Sequence, residues 1–144
     1  MIKNLEKPPV WFWVVSVLAL LWNLMGVGAY LNDAFMSVDD LALLTQDQRL
    51  LYESTPAWVT GAFAIAVWGG LLGSIALLIR KKWAGTVLLI SLIGALAQNV
   101  YLFFLSNTFE IMGAEAMYLS ITVILIGILL VLFAKWARKK KYIG

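Results

Sequence analysis

The chain has 144 residues, enough for one domain, and 62% of them are hydrophobic whereas only 13% are charged. A water-soluble domain of this size could not bury so much apolar surface, so the composition excludes a soluble protein and indicates a polytopic membrane protein. Cysteine and histidine are both absent, which removes disulfides, thiolate chemistry and the commonest metal and proton-transfer ligand. The net charge of +3 arises beside apolar stretches, so we expect no nucleic-acid partner.

Four apolar stretches predict four transmembrane helices in a single membrane domain, at about residues 10–31, 57–79, 83–105 and 113–134. The first stretch would span roughly 33 Å as a helix, which is longer than the core of a signal peptide, so we interpret it as a retained span. The predicted fold is therefore an all-α, four-helix transmembrane bundle.

A longer connection over residues 32–56 separates the first two spans and contains five of the eight acidic residues. Ser37 and Thr45 are each followed three positions later by an acid or an amide, which is the spacing of a capping box. This loop is therefore predicted to be partly helical, over about residues 38–44 and 46–53.

Charge is distributed unevenly between the two sides of this four-span path. Ten of the 11 Lys and Arg lie on the side of the two termini, and Arg49 alone lies on the other side with seven of the eight acids. Because basic residues are retained in the cytoplasm, both termini are expected to be cytoplasmic. Five of the basic residues are also expected to contact anionic lipid: Lys135, Arg138, Lys139, Lys140 and Lys141.

A face of small residues runs along the second span and contains Ala62, Ala66, Gly69, Gly73 and Ala76. Their alternating steps of four and three place all five on one side of a helix. Such a face lets another helix approach closely in lipid, so we predict that this helix is the centre of the bundle. A homodimer contact through the same face remains open.

Polar residues inside the first and third spans form a second candidate feature: Ser16, Asn23, Ser91, Gln98, Asn99 and Tyr101. In the structural interpretation, Asn23 bonds to Gln98 and fixes the first helix to the third, because an amide in hydrocarbon needs a partner. In the functional interpretation, these residues surround a pocket for a small solute. The structural interpretation is favoured, because no span contains a charge of the kind that usually marks an ion or proton path.

The same residues also suggest an internal repeat. Ser16 and Ser91 are 75 residues apart, as are Asn23 and Gln98. A duplicated hairpin would explain this spacing, and so would the general preference for small and polar residues where membrane helices meet.

Catalysis is not expected, and neither is a metal or a cofactor. The chain has no phosphate-binding loop or metal-ligand spacing, and no carboxylate is set in a dry site where burial could tune its pKa.

Several segments resemble a family of small four-span bacterial membrane proteins, whose members are often labelled sugar transporters: Trp22–Gly26, Leu51–Tyr52, Pro56 with Trp58, Arg80–Ala84 and Ser106–Glu110. The resemblance covers most of the chain in the same order and implies a bacterial inner membrane, without assigning a binding residue.

Two functions of different classes are therefore expected. The first is the binding or transport of a small solute by a homo-oligomer, because four helices are few for enclosing an alternating-access site. The alternative is a non-transporting scaffold that packs against a larger membrane protein through its glycine-rich face.

Overall fold

A computed structural model describes residues 5–144, which are helical with no strand among them. Four helices in this part of the chain are long and apolar enough to cross a membrane. The all-α, four-helix prediction is thereby confirmed. The helices are, in order, α1 (Val10–Ala34), α2 (Val38–Ala42), α3 (Gln46–Ser54), α4 (Ala57–Leu78), α5 (Ala84–Val100), α6 (Thr108–Met112) and α7 (Ala114–Lys139), and a π-helical turn at Tyr101–Leu105 extends α5.

Two membrane helices extend beyond the predicted apolar stretches. Helix α1 continues to Ala34, and α7 continues through part of the basic cluster to Lys139. Charged side chains can follow an apolar helix out of the bilayer because their long stems let the charges reach water. The connection between the last two predicted spans contains α6, and Gly113 separates it from α7 with a φ of 93° that favours glycine.

The loop between α1 and α4 is partly helical, as its capping boxes predicted. The Ser37 hydroxyl accepts a hydrogen bond from the Asp40 N–H, and the Thr45 hydroxyl accepts one from the Gln48 N–H, both at 3.1 Å. The Tyr52 hydroxyl donates to the Asp33 carbonyl at 2.8 Å, which holds α3 against the end of α1.

The membrane helices pack in the order of the chain, α1 against α4, α4 against α5, and α5 against α7. The contact between α4 and α5 is the largest, and α7 packs mainly against α5. The centre of the bundle is therefore shared by α4 and α5, whereas the sequence had indicated α4 alone.

The small-residue face of α4 packs against α5. Ala62, Ala66 and Ala76 are buried, and a Cβ added to Gly69 would lie 3.1 Å from the Ser91 Cβ. Gly73 is also buried, with Leu88 of α5 against it. This face is consequently occupied within the chain and is not available to a second copy or to another protein.

At the end of the bundle that carries most basic residues, here the basic end, both ends of the described chain meet the α4–α5 connection. The Glu6 N–H donates to the Lys141 carbonyl at 2.8 Å, and the Gly144 N–H donates to the Arg80 carbonyl at 3.1 Å. Arg80 in turn donates from its Nε to the Tyr142 carbonyl at 2.8 Å. These bonds fold the C-terminal residues back under the helices.

Aromatic rings fill the same end and bring α1 against α7. The ring centroids of Trp11 and Trp136 are 4.7 Å apart, and those of Phe12 and Phe133 are 5.5 Å apart. Tyr142 adds a fifth ring beside Phe12. These five residues are called the aromatic closure below.

Candidate functional site

Asn23 is buried on α1 and bonds to α4. Its Nδ2 donates to the Ala19 carbonyl at 2.8 Å and to the Ser74 hydroxyl at 3.1 Å. Gly70 makes room for this amide, because a Cβ at that position would overlap the Asn23 Oδ1. The interhelical bond of Asn23 therefore fixes α1 to α4, and the predicted partner Gln98 is replaced by Ser74.

Asn99 on α5 has the same local geometry as Asn23. Its Nδ2 donates to the carbonyl four residues earlier, that of Ala95, at 2.7 Å. Because a carbonyl only accepts, this bond fixes which side of the amide holds the nitrogen. Asn99 is only 5% exposed, and among residues 5–144 its Oδ1 has no hydrogen-bond partner. Asn99, one position after Gln98, is thus the structural counterpart of Asn23.

Four of the six polar residues that the sequence singled out line one cavity between the four membrane helices. This cavity has a volume of about 350 Å³, and Asn23, Ser91, Gln98 and Asn99 all contribute to its wall. Most of the remaining wall is apolar and includes Trp22, Val67, Leu92, Val123 and Leu130.

The other two polar residues, Ser16 and Tyr101, lie outside this wall. Ser16 is fully buried nearer the basic end, where its hydroxyl donates to the Phe12 carbonyl at 2.8 Å. Tyr101 is buried in the π-helical turn and packs edge-on against Trp58, with ring centroids 5.9 Å apart. Both residues contribute to helix packing.

The polar groups of the cavity wall are few and differ in what they can still bond to. The Ser91 hydroxyl donates to the Ala66 carbonyl, so its hydrogen is already engaged, whereas Gln98 and Ser120 contribute a side-chain amide and a hydroxyl to the wall. The Nδ2 of Asn23 is engaged as well, and no charged residue contributes to the wall. Asn99 lines the same wall, and its Oδ1 is buried without a hydrogen-bond partner among residues 5–144.

A second cavity, here the vestibule, lies between the membrane helices and the α2–α3 loop, on the side where most acidic residues lie. Its volume is about 380 Å³, and Asp33, Gln48, Tyr52 and Thr60 lie in its wall. The vestibule and the inner cavity share Phe63, Gln98 and Leu102. The two spaces are therefore adjacent, and the aromatic closure lies at the opposite end of the bundle.

Sequence reasoning missed Ser74, Gly70 and Phe63 as parts of this site. Ser74 carried a usable signal, because a hydroxyl within an apolar span usually needs a partner. Gly70 and Phe63 carried none, since glycine and phenylalanine are common throughout membrane helices. The five basic residues singled out as lipid contacts are exposed beyond the α7 core, and their contact with lipid remains a prediction.

The four apolar helices indicate a polytopic membrane protein, with a cavity between its membrane helices. In comparisons with protein-family models, curated proteins and solved structures, nothing matches the chain.

Proposed function

We propose that this protein binds a small, largely apolar solute that has at least one hydrogen-bond donor, in the cavity between its four membrane helices. The observation that carries the proposal is the cavity itself, whose wall includes Asn99, the residue whose buried Oδ1 has no hydrogen-bond partner among residues 5–144. An unpaired buried acceptor costs about 1–3 kcal/mol, and a donor on a ligand would remove that cost.

The size and polarity of the cavity support a solute of this class. Benzene binds an engineered cavity of about 150 Å³, so a volume of about 350 Å³ suits a substituted aromatic ring. A sugar, as the family resemblance would imply, needs several polar groups within one pocket. The few polar groups here favour a less hydroxylated solute.

Membrane location and orientation form a second part of the proposal, namely a bacterial inner membrane with both termini in the cytoplasm. The support is the distribution of charge, with ten of the 11 basic residues on one side. The vestibule would then face outward, and the aromatic closure would face the cytoplasm.

Transport by a homo-oligomer extends the proposal, without any chemical conversion of the solute. Helix α7 supports it, because its outer face exposes Leu125, Leu129 and Leu132 to lipid or to another copy. A scaffold role would also use an exposed apolar surface such as this one, since α5 covers the small-residue face of α4.

Ligand-dependent thermal stability in detergent tests the binding proposal, with 4-phenylbutan-1-ol as the probe. A ligand that prefers the folded state raises the melting temperature. We expect a rise for the natural chain and none for Ser120→Trp, because Ser120 lies in the cavity wall and a tryptophan would fill the space.

Ile121→Trp is the matched control, because Ile121 is 41% exposed and lies outside the cavity wall. It should retain the full response to the alcohol. An equal response from Ser120→Trp and Ile121→Trp would show that the alcohol acts elsewhere, and no response from the natural chain would overturn the proposal.

Cysteine labelling tests the orientation separately, since the chain has no cysteine of its own. Leu43→Cys and Asn107→Cys lie in exposed positions at the acidic side, and Lys139→Cys lies at the basic end. An impermeant thiol reagent applied to intact cells should label the first two and spare the third. The reverse pattern would invert the proposed topology.

A further inference from the structure

We propose that the solute is a small amine, whose protonated nitrogen pairs with Asp33 in the vestibule while its apolar part enters the inner cavity. This inference rests on the proposed binding function and names the chemical class of the ligand. It follows from the charge, the hydrogen bonding and the arrangement of the two adjoining cavities.

The vestibule is electrostatically suited to a cation. Asp33 is the one charged residue in its wall, which contains no Lys or Arg. Arg49, the single basic residue on this side of the membrane, directs its guanidinium to the Leu41 carbonyl at 3.0 Å and lies outside the wall. The excess of acids on this side would also attract cations toward the opening.

Two hydroxyls of the vestibule wall can accept hydrogen bonds from such a cation. The hydroxyls of Tyr52 and Thr55 lie in the vestibule wall, but their hydrogens are given to the carbonyls of Asp33 and Leu51, both at 2.8 Å. These oxygens can therefore only accept further bonds. An ammonium group has three donors for these oxygens and for the Asp33 carboxylate. A carboxylate ligand could bond to the amides in the wall, but it would meet the like charge of Asp33.

The arrangement of the cavities favours an elongated amine. Asp33 follows Asn23 by ten positions on α1, which corresponds to about 15 Å along a helix axis. Phe63, Leu102 and Gln98 line both cavities and form a boundary between them that is apolar apart from the Gln98 amide. A hydrocarbon chain with a terminal ring could cross this boundary while its nitrogen stays beside Asp33.

Three probes that share one skeleton test the inference: 4-phenylbutylamine, 4-phenylbutan-1-ol and 4-phenylbutyrate. Their affinities can be measured by the rise in melting temperature as each probe is titrated. We expect the amine to bind roughly five- to tenfold more tightly than the alcohol, and the carboxylate to bind least. Raising the salt concentration should weaken the binding of the amine and leave the binding of the alcohol unchanged.

Asp33→Asn should reduce the affinity for the amine to that for the alcohol. Glu53→Gln is the matched control, because it removes an exposed carboxylate of the same loop that lies outside the vestibule wall. If the Asp33→Asn variant does not fold, the salt dependence of amine binding to the natural chain tests the assignment instead.

The possible outcomes separate this inference from the binding function on which it rests. Equal affinities for amine and alcohol, or equal losses in Asp33→Asn and Glu53→Gln, would overturn the amine assignment while the binding proposal stands. Binding of none of the three probes would overturn both. Tighter binding of the carboxylate than of the amine would also reject the assignment to Asp33.

Discussion

Asn23 and Ser74, which are 51 positions apart in the chain, join α1 to α4 through a hydrogen bond of 3.1 Å. The Ser74 hydroxyl can accept this bond because its own hydrogen goes to the Gly70 carbonyl at 2.8 Å. Ser74 is fully buried, so neither group can exchange this bond for one to water. The pair therefore sets the rotation of α1 against the centre of the bundle.

Breaking this pair should reduce the stability of the fold. Asn23→Leu and Ser74→Ala are each expected to lower the free energy of unfolding, and a double-mutant cycle should give a coupling of about 0.6 kcal/mol. Thr122→Ala is the control, because the Thr122 hydroxyl is exposed and bonds only to the Tyr118 carbonyl of its own helix. Strict additivity of the two changes in denaturant unfolding would refute the coupling.

Asn99→Leu, unlike Asn23→Leu, should not reduce the stability of the fold in the absence of solute. The substitution removes a buried acceptor that has no partner and should leave stability unchanged or raise it by about 1 kcal/mol. The same variant should lose part of its affinity for the alcohol probe. A loss of stability comparable to that of Asn23→Leu would indicate that Asn99 has a structural partner after all.

Gly94 is the glycine of α5 most sensitive to an added methyl group. A Cβ there would lie 2.9 Å from the Ala62 carbonyl oxygen and 3.0 Å from the Ala66 nitrogen. Both atoms belong to the backbone of α4, so they could move away only if the helix itself shifted. We expect Gly94→Ala to cost about 1–3 kcal/mol in unfolding measurements. Gly61→Ala on α4 meets nothing within 4 Å and should be neutral or slightly stabilising. Similar melting temperatures for the two variants would contradict this packing.

Two residues at the basic end, Arg80 and Lys141, have positive φ values of 58° and 64°. Glycine relieves the strain of such a conformation, so Lys141→Gly should stabilise the fold by about 1 kcal/mol. Arg80→Gly should relieve the same backbone strain, but it also removes the hydrogen bond from the Arg80 Nε to the Tyr142 carbonyl. It should therefore be less stable than Lys141→Gly and should increase amide exchange in the last residues of the chain. Equal stabilisation would mean that the Arg80 side chain contributes nothing there.

Periodicity and local spacing were sufficient to predict the four membrane helices and the two helices of the long loop, but not α6. The apolar lengths predicted four spans, and the Ser37 and Thr45 spacings predicted α2 and α3, because these elements depend on neighbours close in the chain. The alternating small residues of α4 correctly indicated a face for close packing. The pattern did not indicate which helix occupies that face.

The partners in the site could not be predicted, because they depend on the rotation and order of whole helices. Asn23 could reach a polar group on either neighbour, and the choice of Ser74 follows from the space that Gly70 leaves on α4. The π-helical turn and the fold-back of Tyr142 and Ile143 likewise depend on tertiary packing. Phe12, for example, lies against rings that arrive from the opposite end of the chain.

The joined ends of the described chain limit where a purification tag can be placed. The Gly144 N–H is bonded to Arg80, and the Leu5 side chain lies beside Gly144, so a fusion at either position would pull on the aromatic closure. An insertion near Leu43, which is 85% exposed between α2 and α3, would leave these contacts intact. Leu43 is therefore the better attachment point for affinity handles or fluorophores.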